Sequence, residues 1–504
     1  MADGILLEDV LKKHFIISEP AVDEIDKEAW ALKCLVNDVS DQTSNNRLLN
    51  ISIKEANEKL SDVTNQISQK EFRQKFYDLP LFDQLVSRNI ISLTNRIGAY
   101  MDYFHNSKDA IVDPNVSSSF KEAKSWRRKN LKVGDLLTRL YGTRDVPKSA
   151  IDKIIDEVNV NFGVDLSGDL TRMTDVYSFI ERRADPRREF DEELQSRFNG
   201  LLSEYKNELQ DSSVDAIREI SRKEIPKIKK IIFDLFKDYS TLQLGKELPF
   251  EVDIAPINTE SSSFDDSIKR LEINNGLLLV HGRDKKIFSA QWYMAAGHEW
   301  AHGLSFLNSR KLPKSLVADL RSYLSFGPAT IEEGRAMRFE KETIPWFKSK
   351  KNEYGIKDKE LEVMEIYPQA YLQRGAHLRL YGILLLKESI TSDGRYDRSD
   401  QTEEIAAMEL SRITNNPVYF INRFNLPIEG FHESSYGMTG LHYPLGMMYV
   451  DRTMNLSRKI LGEEKFEKNK ILINELMLLG QWCPGVHEEY MLRMALPIIK
   501  EYSK

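Results

Sequence analysis

The sequence is poor in cysteine and contains no long apolar run. Cys34 and Cys483 are the two cysteines among 504 residues. At most one disulfide could form, and such sparse usage fits a reducing compartment in which both thiols stay reduced. No stretch approaches the ~18 consecutive apolar residues of a membrane-spanning helix. The first ten residues lack the basic region and apolar run of a secretory signal. We therefore expect a cytoplasmic protein with no membrane partner.

The chain also lacks the features of proteins that bind nucleic acids or nucleotides. Its formal net charge is −7, which argues against nucleic acid as the main partner. It has no P-loop, no dinucleotide-binding glycine fingerprint and no paired C-x-x-C motif. A basic segment around Trp126, residues 121–132, could bind phosphate, but a solvated helix face is the simpler interpretation.

One stretch carries a pattern with a chemical meaning. Residues 296–306 contain His298, Glu299 and His302, which form an H-E-x-x-H motif. On a helix, residues four apart share a face, so both imidazoles can bind one metal ion while Glu299 lies close to a metal-activated water. This composition yields the pattern by chance about once in a hundred such chains, but the surrounding residues favour a helix. We predict a catalytic Zn2+ site, with one ion per chain.

A catalytic zinc needs a third protein ligand and an open fourth position. Residues 329–340 form a helix-like stretch in which Glu332 and Glu333 precede Gly334. Adjacent helical residues point about 100° apart, so only one of the two carboxylates can face the metal. The small residues Gly334 and Ala336 would allow this helix to approach the motif helix closely. Geometry by itself leaves the choice between the two acids open.

The H-E-x-x-H motif with a later Glu-Gly-x-Ala sequence resembles the gluzincin superfamily of zinc peptidases. The resemblance implies that Glu333 is the third ligand beside His298 and His302, and that Glu332 lies behind the site or at the surface. A metzincin site would need a histidine six residues after His302, where this chain has Asn308.

The chain is similar, more narrowly, to the thimet-oligopeptidase-like and related helical metallocarboxypeptidase families. That similarity implies a mainly α fold, in which two helical halves flank a substrate channel and a small β-sheet lies beside the H-E-x-x-H helix. Such a channel admits short peptides and excludes folded proteins.

The periodicity of the sequence predicts a matching organisation. Charged segments with apolar residues three and four apart predict helices through residues 1–245. Short β-prone runs separated by polar connections follow at residues 248–258, 268–273 and 276–281. An edge strand there could pair with an extended peptide, although an ordinary scaffold sheet is equally consistent. The predicted units are an N-terminal helical domain, 1–245, and a catalytic domain, 246–504.

Two prolines in this organisation carry predictions about helix boundaries. Pro226 is of the kind favoured in the first turn of a helix, so a helix is expected to begin near it. Pro368 is expected to break the helix predicted over residues 360–386. Further helices are predicted over residues 318–326, 330–341, 401–413 and 465–479.

A downstream segment rich in His, Tyr and Gly, residues 431–446, offers groups for the oxyanion of peptide hydrolysis. A Tyr hydroxyl or a protonated His near the metal can stabilise that charge. The related families place such a segment well after the metal helix, and this one resembles it. Tyr443 is the first candidate, followed by Tyr436 and His442. The alternative is a glycine-rich loop with structural aromatic residues.

These features predict a zinc metallopeptidase, an oligopeptidase that hydrolyses short peptides with Glu299 as the general base. One alternative is a non-catalytic helical zinc-binding scaffold, although a structural zinc needs no base beside it. The other is a metallocarboxypeptidase with the same site and a cation that captures the substrate's terminal carboxylate. Candidates for that cation are Arg335, Arg374, Arg379, Arg423 and Arg452.

Overall fold

The structure, a computed structural model, describes most but not all of the chain. It covers residues 7–41, 46–69, 72, 75–111, 148–166, 193–194, 196–198, 200–201, 214–254, 263–265, 270–273, 277–280, 284–287, 289–317, 328–371 and 442–502. Several sequence predictions lie outside these residues: the basic segment 121–132, Tyr436, Arg374, Arg379, Arg423 and the helices over 318–326 and 401–413.

The chain is mainly helical, as the sequence predicts. In chain order the helices are α1 (Leu7–His14), α2 (Pro20–Asp41), α3 (Asn46–Ser68), α4 (Leu81–Ile111), α5 (Lys148–Phe162), α6 (Val214–Tyr239), α7 (Ser289–Ser309), α8 (Pro328–Glu342), α9 (Ile344–Ser349), α10 (Lys351–Tyr354), α11 (Asp358–Tyr371), α12 (His442–Leu461), α13 (Glu463–Lys468), α14 (Lys470–Met477), α15 (Pro484–Tyr490) and α16 (Leu496–Tyr502). Short 3-10 turns lie at Phe76–Asp78 and Lys314–Leu316, and a π-helical turn at Met491–Ala495. Within the described ranges, no helix is both long and apolar enough to cross a membrane.

Short strands lie immediately before α7, as predicted. They are β1 (Glu251–Ile254), β2 (Ser263–Asp265), β3 (Arg270–Ile273), β4 (Leu277–Val280) and β5 (Asp284–Ile287). The central strand β3 pairs with β1 in parallel and with β2 antiparallel, while β4 and β5 form a separate antiparallel pair. Strands β1, β3 and β4 match the β-prone runs. Strands β2 and β5 begin in segments that the sequence assigned to connections, because pairing with a neighbour, rather than their own side chains, makes them strands.

Two apolar clusters form the core of the described chain. The first joins the N-terminal helices to the C-terminal ones and includes Leu85 of α4 and Ile473 of α14. The second surrounds α7 and includes Ile231 of α6, Leu271 of β3 and Trp300 of α7. Each cluster contains residues from both sides of residue 245. The division into domains 1–245 and 246–504 stays a prediction.

Prolines inside two helices correct the predicted boundaries. Pro226 lies within α6 rather than at the start of a helix, and Pro368 lies within α11 without ending it. An internal proline removes one backbone hydrogen bond and costs about 3 kcal/mol. Burial of apolar residues on both helices, such as Ile231 and Met364, offsets that cost. Tertiary packing therefore overrides the local helix-breaking signal.

Helix α8 contacts α12 through two glycines. A Cβ added at Gly334 would lie 2.1 Å from the carbonyl carbon of Gly446, and one added at Gly446 would lie 2.0 Å from the carbonyl oxygen of Thr330. The expectation that Gly334 allows α8 to approach the motif helix is therefore corrected, because this glycine lies against α12. Contact between α8 and α7 includes the rings of Phe339 and Trp300, which meet edge to face with centroids 4.5 Å apart.

Adding a methyl group at this crossing is expected to destabilise the protein. Gly446→Ala should lower the free energy of unfolding by about 1–3 kcal/mol, because the methyl group meets backbone that no rotamer change can move. Gly98→Ala is the matched control. Gly98 also lies within a helix, and among the described residues the nearest atom to its added Cβ would be Leu60 Cδ2, at 3.9 Å. Both substitutions gain up to ~1 kcal/mol of helix propensity. Urea unfolding should separate them, and equal stabilities would refute the steric argument.

A buried carboxylate links three segments of the fold. Glu475 of α14 accepts hydrogen bonds from the backbone N and from Oγ1 of Thr241, both at 2.7 Å. The same Oγ1 accepts a hydrogen bond from the backbone N of Leu7, at 3.2 Å. Burial raises the pKa of Glu475 from an ordinary value of 4.5 to about 7, against the opposing effect of the two bonds from Thr241.

This shift predicts a pH-dependent stability. Because the folded-state pKa lies above the unfolded one, the contribution of Glu475 is fully present below pH 4.5 and is lost as pH rises through about 7. A shift of this size is worth roughly 3 kcal/mol. Unfolding in urea at pH 5 and pH 8 should show a stability difference that Glu475→Gln removes. Replacing the exposed Glu464 by Gln should leave the difference in place; an unchanged difference in Glu475→Gln would rule out this assignment.

Candidate metal centre

Helix α7 is buried because it is apolar nearly all round. Trp292, Ala296 and Trp300 are completely enclosed, and Gly303 allows the rings of Phe236 and Phe250 to lie against the helix backbone. The polar groups of the motif therefore stand out against an apolar surrounding. Glu299 and His302 are buried, and His298 is partly exposed.

The motif histidines face each other. His298 Nε2 lies 3.2 Å from His302 Nε2. On the far side of each ring, His298 Nδ1 lies 2.7 Å from Glu340 Oε1 and His302 Nδ1 lies 2.9 Å from Glu332 Oε1. Since a carboxylate accepts the proton on each Nδ1, the hydrogen-bond network assigns the lone pairs to the two Nε2 atoms. Two lone pairs at this separation repel each other unless a proton or a metal cation lies between them.

Glu333 completes a triangle with these nitrogens. Its Oε2 lies 3.4 Å from His298 Nε2 and 3.6 Å from His302 Nε2. Although buried, this oxygen has no hydrogen-bond partner within the described residues. A tetrahedral zinc with bonds near 2.05 Å separates its ligands by about 3.3 Å. The spacing of the three donor atoms therefore fits three ligands of such an ion.

Glu299 forms a looser set with the same histidines. One carboxylate oxygen and a ring nitrogen from each imidazole lie within 4.8 Å of one another. The oxygen Oε2 of Glu299 is buried and makes no hydrogen bond to the described residues. Burial raises the pKa of this carboxyl group, while the imidazoles of His302 and His298 oppose the shift. The triangle that includes Glu333 is the tighter of the two sets.

Carboxylates around the two imidazoles make the centre attractive to positive charge. Burial lowers the pKa of His298, but Glu333 and Glu340 outweigh it and raise the pKa to about 10. Burial also lowers the pKa of His302, but Glu333 and Glu332 outweigh it and raise that pKa above its ordinary value. The pKa of Glu333 lies below its ordinary value, because the imidazoles outweigh its burial. A divalent cation can supply the positive charge that protons otherwise bring.

Sequence reasoning placed Glu332 behind the site or at the surface, and it did not find Glu340. Glu332 is buried, and it also accepts a hydrogen bond from Gln481 Nε2, at 3.3 Å. Glu340 lies two helical turns after Glu333 on the same face of α8. The seven-residue spacing between Glu333 and Glu340 was therefore the signal that could have identified Glu340.

The oxyanion candidates differ in what the structure describes. Tyr443 is partly buried and packs with Met337 and Met447 in a small apolar cluster between α8 and α12. Met337 lies one turn after Glu333, so Tyr443 lies near the proposed ligand helix. His442 is the first residue of α12, where the alternative expected a loop, and Tyr436 lies outside the described residues. The roles of all three stay predictions.

Two of the candidate arginines for carboxylate capture are engaged within the protein. Arg335 is fully buried, pairs with Glu342 at 3.1 Å and lies over the ring of Phe339. Arg452 pairs with Glu488 at 2.9 Å. Neither guanidinium is therefore well placed to receive a substrate carboxylate.

Comparisons with known proteins give few matches. No protein family matches the sequence, and no curated protein matches it either. Among solved structures, metallocarboxypeptidase 1 of Trypanosoma cruzi is similar at 11% identity and a TM-score of 0.44, covering 95% of this chain and 96% of that chain. A protein of Colwellia psychrerythraea described as a lipoprotein is similar at 14% identity and a TM-score of 0.37, covering 88% of this chain and 64% of that chain. Scores this low decide nothing about the chemistry, so the function has to be inferred from the site.

Proposed function

We propose that this chain is a zinc-dependent metallopeptidase that hydrolyses short peptides. The observation that carries the proposal is the triangle of His298 Nε2, His302 Nε2 and Glu333 Oε2, with sides of 3.2, 3.4 and 3.6 Å. The buried carboxylate of Glu299, with one oxygen that makes no hydrogen bond among the described residues, lies beside this triangle. A structural zinc site is closed by four protein ligands and has no use for such a base.

Each residue of the centre has a distinct role in peptide hydrolysis. His298, His302 and Glu333 would hold the zinc, and Glu340 would orient the ring of His298. Zinc, when bound, supplies a Lewis acid that polarises a carbonyl and makes a water molecule acidic near neutral pH. Glu299 accepts a proton from the attacking water and delivers it to the leaving amine nitrogen.

A donor for the developing oxyanion completes the proposal. Tyr443 is the first candidate, since its helix is held against the ligand helix by the contact of Gly446 with Gly334. A hydroxyl on a rigidly placed helix acts in hydrolysis because it is already aimed at the position where charge develops. Tyr436 and His442 are the alternatives.

Short, extended peptides are the proposed substrates, bound in a channel between two helical halves. The sheet supports this substrate class: β1 and β2 are the outer strands of the described three-stranded sheet, and β2 and β3 lie against α7. An outer strand can pair with the backbone of an extended peptide. The sparse cysteine content supports action in a reducing compartment such as the cytoplasm.

The test is digestion of two peptides of one sequence, one with blocked ends and one with a free carboxyl terminus. Cleavage of both at internal bonds, with loss of activity on chelation and recovery with zinc, is the expected result. One-residue losses from the free peptide alone would replace the oligopeptidase by a metallocarboxypeptidase. Full zinc occupancy with no cleavage of a diverse peptide library would indicate a scaffold.

A further inference from the structure

A buried chain of hydrogen bonds connects the N-terminal helix α2 to the metal centre. Lys33 Nζ donates to Gln481 Oε1 at 2.7 Å, and Gln481 Nε2 donates to Glu332 Oε2 at 3.3 Å. Glu332 Oε1 in turn lies 2.9 Å from His302 Nδ1. All four side chains are buried. Residues from three distant parts of the sequence therefore meet behind one histidine.

We propose that Lys33 is a positioning residue for the metal centre, acting through Gln481 and Glu332 to hold His302 in its metal-binding orientation. This inference rests on the proposed function only in that a metal binds His298, His302 and Glu333. It goes beyond that proposal because it assigns part of the metal affinity to a helix that contributes no ligand.

Chemistry gives the chain of bonds a single direction. A lysine ammonium can only donate hydrogen bonds, and an ionised carboxylate can only accept them. The amide of Gln481 lies between the two, so its oxygen must face Lys33 and its nitrogen must face Glu332. Glu332 then has one oxygen occupied by the amide and the other available to His302. If the Gln481 amide were turned around, its NH2 group would face the Lys33 ammonium and its oxygen would face the Glu332 carboxylate. Donor would then meet donor at one end, and acceptor would meet acceptor at the other.

The backbone around Gln481 is held as firmly as its side chain. Its N donates to Leu316 O at 2.8 Å, and its O accepts a hydrogen bond from Asn89 Nδ2 at 3.2 Å. The preceding Gly480 has a φ of +84°, and a Cβ there would lie 2.9 Å from Leu312 Cδ1. A glycine is thus required for the turn that presents Gln481 to Glu332.

Lys33 is a buried cation held by polar and aromatic partners. It is 4% exposed, lies over the ring of Trp30, and also donates to Val317 O at 3.2 Å. Burying an ammonium group is unfavourable unless its hydrogen bonds compensate. The bond to Gln481 connects this cation to the metal centre through Glu332.

Loss of Lys33 is expected to weaken metal binding because the restraint on Glu332 loosens. Without the ammonium group the amide of Gln481 can rotate, and Glu332 is no longer held against His302 Nδ1. Partners that orient a metal-binding histidine typically contribute 10–100-fold to metal affinity. Lys33→Met should therefore raise the zinc Kd by about tenfold, and Gln481→Met by at least as much.

The experiment measures zinc Kd by chelator competition and the visible spectrum of the cobalt-substituted full-length protein. Lys33→Met, Gln481→Met and the double variant form a cycle. If Lys33 acts on the metal centre through Gln481, the double variant should bind zinc no more weakly than Gln481→Met alone. The cobalt bands should shift in the same way in all three variants, because the orientation of His302 changes in each.

Asp26→Asn is the matched control. Asp26 lies on the same helix α2 and is equally buried, and its carboxylate accepts hydrogen bonds from Lys314 N at 2.7 Å and from Ser315. It holds α2 to the chain just after α7, and its hydrogen bonds within the described residues go to Lys314 and Ser315 rather than to Gln481 or Glu332. The control should lower stability while leaving the zinc Kd and the cobalt spectrum unchanged.

An unchanged zinc Kd in Lys33→Met would overturn the proposal. So would a double variant whose loss of zinc affinity equals the sum of the two single losses in free energy. If Lys33→Met does not fold, Gln481→Met decides the question alone: an unchanged Kd and cobalt spectrum there also overturn it. A weakened Kd in Asp26→Asn would reduce the effect to general destabilisation and overturn it as well. A wild-type protein that binds neither zinc nor cobalt would instead refute the metal centre itself.

Discussion

Glu299→Gln is expected to leave zinc bound and to lower kcat by roughly 10²–10⁴-fold, the range that a positioned general base contributes. Gln has the shape of Glu but cannot accept the proton of the attacking water. Zinc binding should survive because the donor triangle is made by His298, His302 and Glu333. Because Glu299 Oε2 makes no hydrogen bond within the described part of the chain, the replacement breaks none there.

The measurement combines zinc content with initial rates on a blocked peptide. Glu353→Gln serves as a control, since this exposed carboxylate pairs with Lys230 and Lys350 at the surface. Its kcat should equal that of the wild type. A zinc-loaded Glu299→Gln protein that turns over at the wild-type rate would remove Glu299 from the mechanism.

Glu333→Ala is expected to weaken zinc binding by more than about 100-fold, above the 10–100-fold expected for a group that only orients a ligand. Removing this carboxylate deletes one of the donor atoms of the triangle and leaves two imidazoles, which do not hold a catalytic zinc. The Glu333 side chain is 22% exposed, so its truncation opens the site towards solvent rather than leaving an enclosed cavity. The loss should therefore appear in metal binding before it appears in stability.

Glu332→Ala provides the comparison, because Glu332 touches His302 Nδ1 rather than the open side of the site. The Glu332→Ala variant should bind zinc more weakly by the smaller factor, about 10–100-fold. Chelator competition on both variants gives the order of the two losses. Unchanged zinc stoichiometry in Glu333→Ala would transfer the ligand role to Glu332 or to another group.

The parts of the site that follow from local geometry could be predicted. His298 and His302 share a face of α7 because four residues make about one helical turn, whatever the rest of the chain does. The preference for Glu333 over Glu332 as a ligand came from a resemblance, not from spacing. It stays a prediction, and the structure places Glu333 Oε2 3.4 and 3.6 Å from the two Nε2 atoms. The position of Glu340 on the same face of α8 as Glu333 could have been predicted from helical periodicity in the same way.

Other predictions failed because packing outweighs local preference. Pro226 and Pro368 carry helix-breaking signals, yet α6 and α11 continue through them, since both helices bury apolar faces. Gly334 was expected to serve the approach of α8 to α7, but its contact is with Gly446, more than a hundred residues away. A small residue in a sequence shows that a close approach is possible without showing which partner makes it.

The sequence by itself determined the helical character of the chain, the strands ahead of α7 and the pair of histidines with a carboxylate between them, because periodicity and adjacency act over a few residues. Only the tertiary structure decided which carboxylate completes the triangle, which helix α12 touches, and that Lys33 reaches His302 through Gln481. Lys33 and Gln481 are separated by 448 positions, and one hydrogen bond between such residues leaves no pattern in the sequence. Those contacts depend on how the helices pack, where the burial of many apolar side chains chooses the neighbours of each polar group.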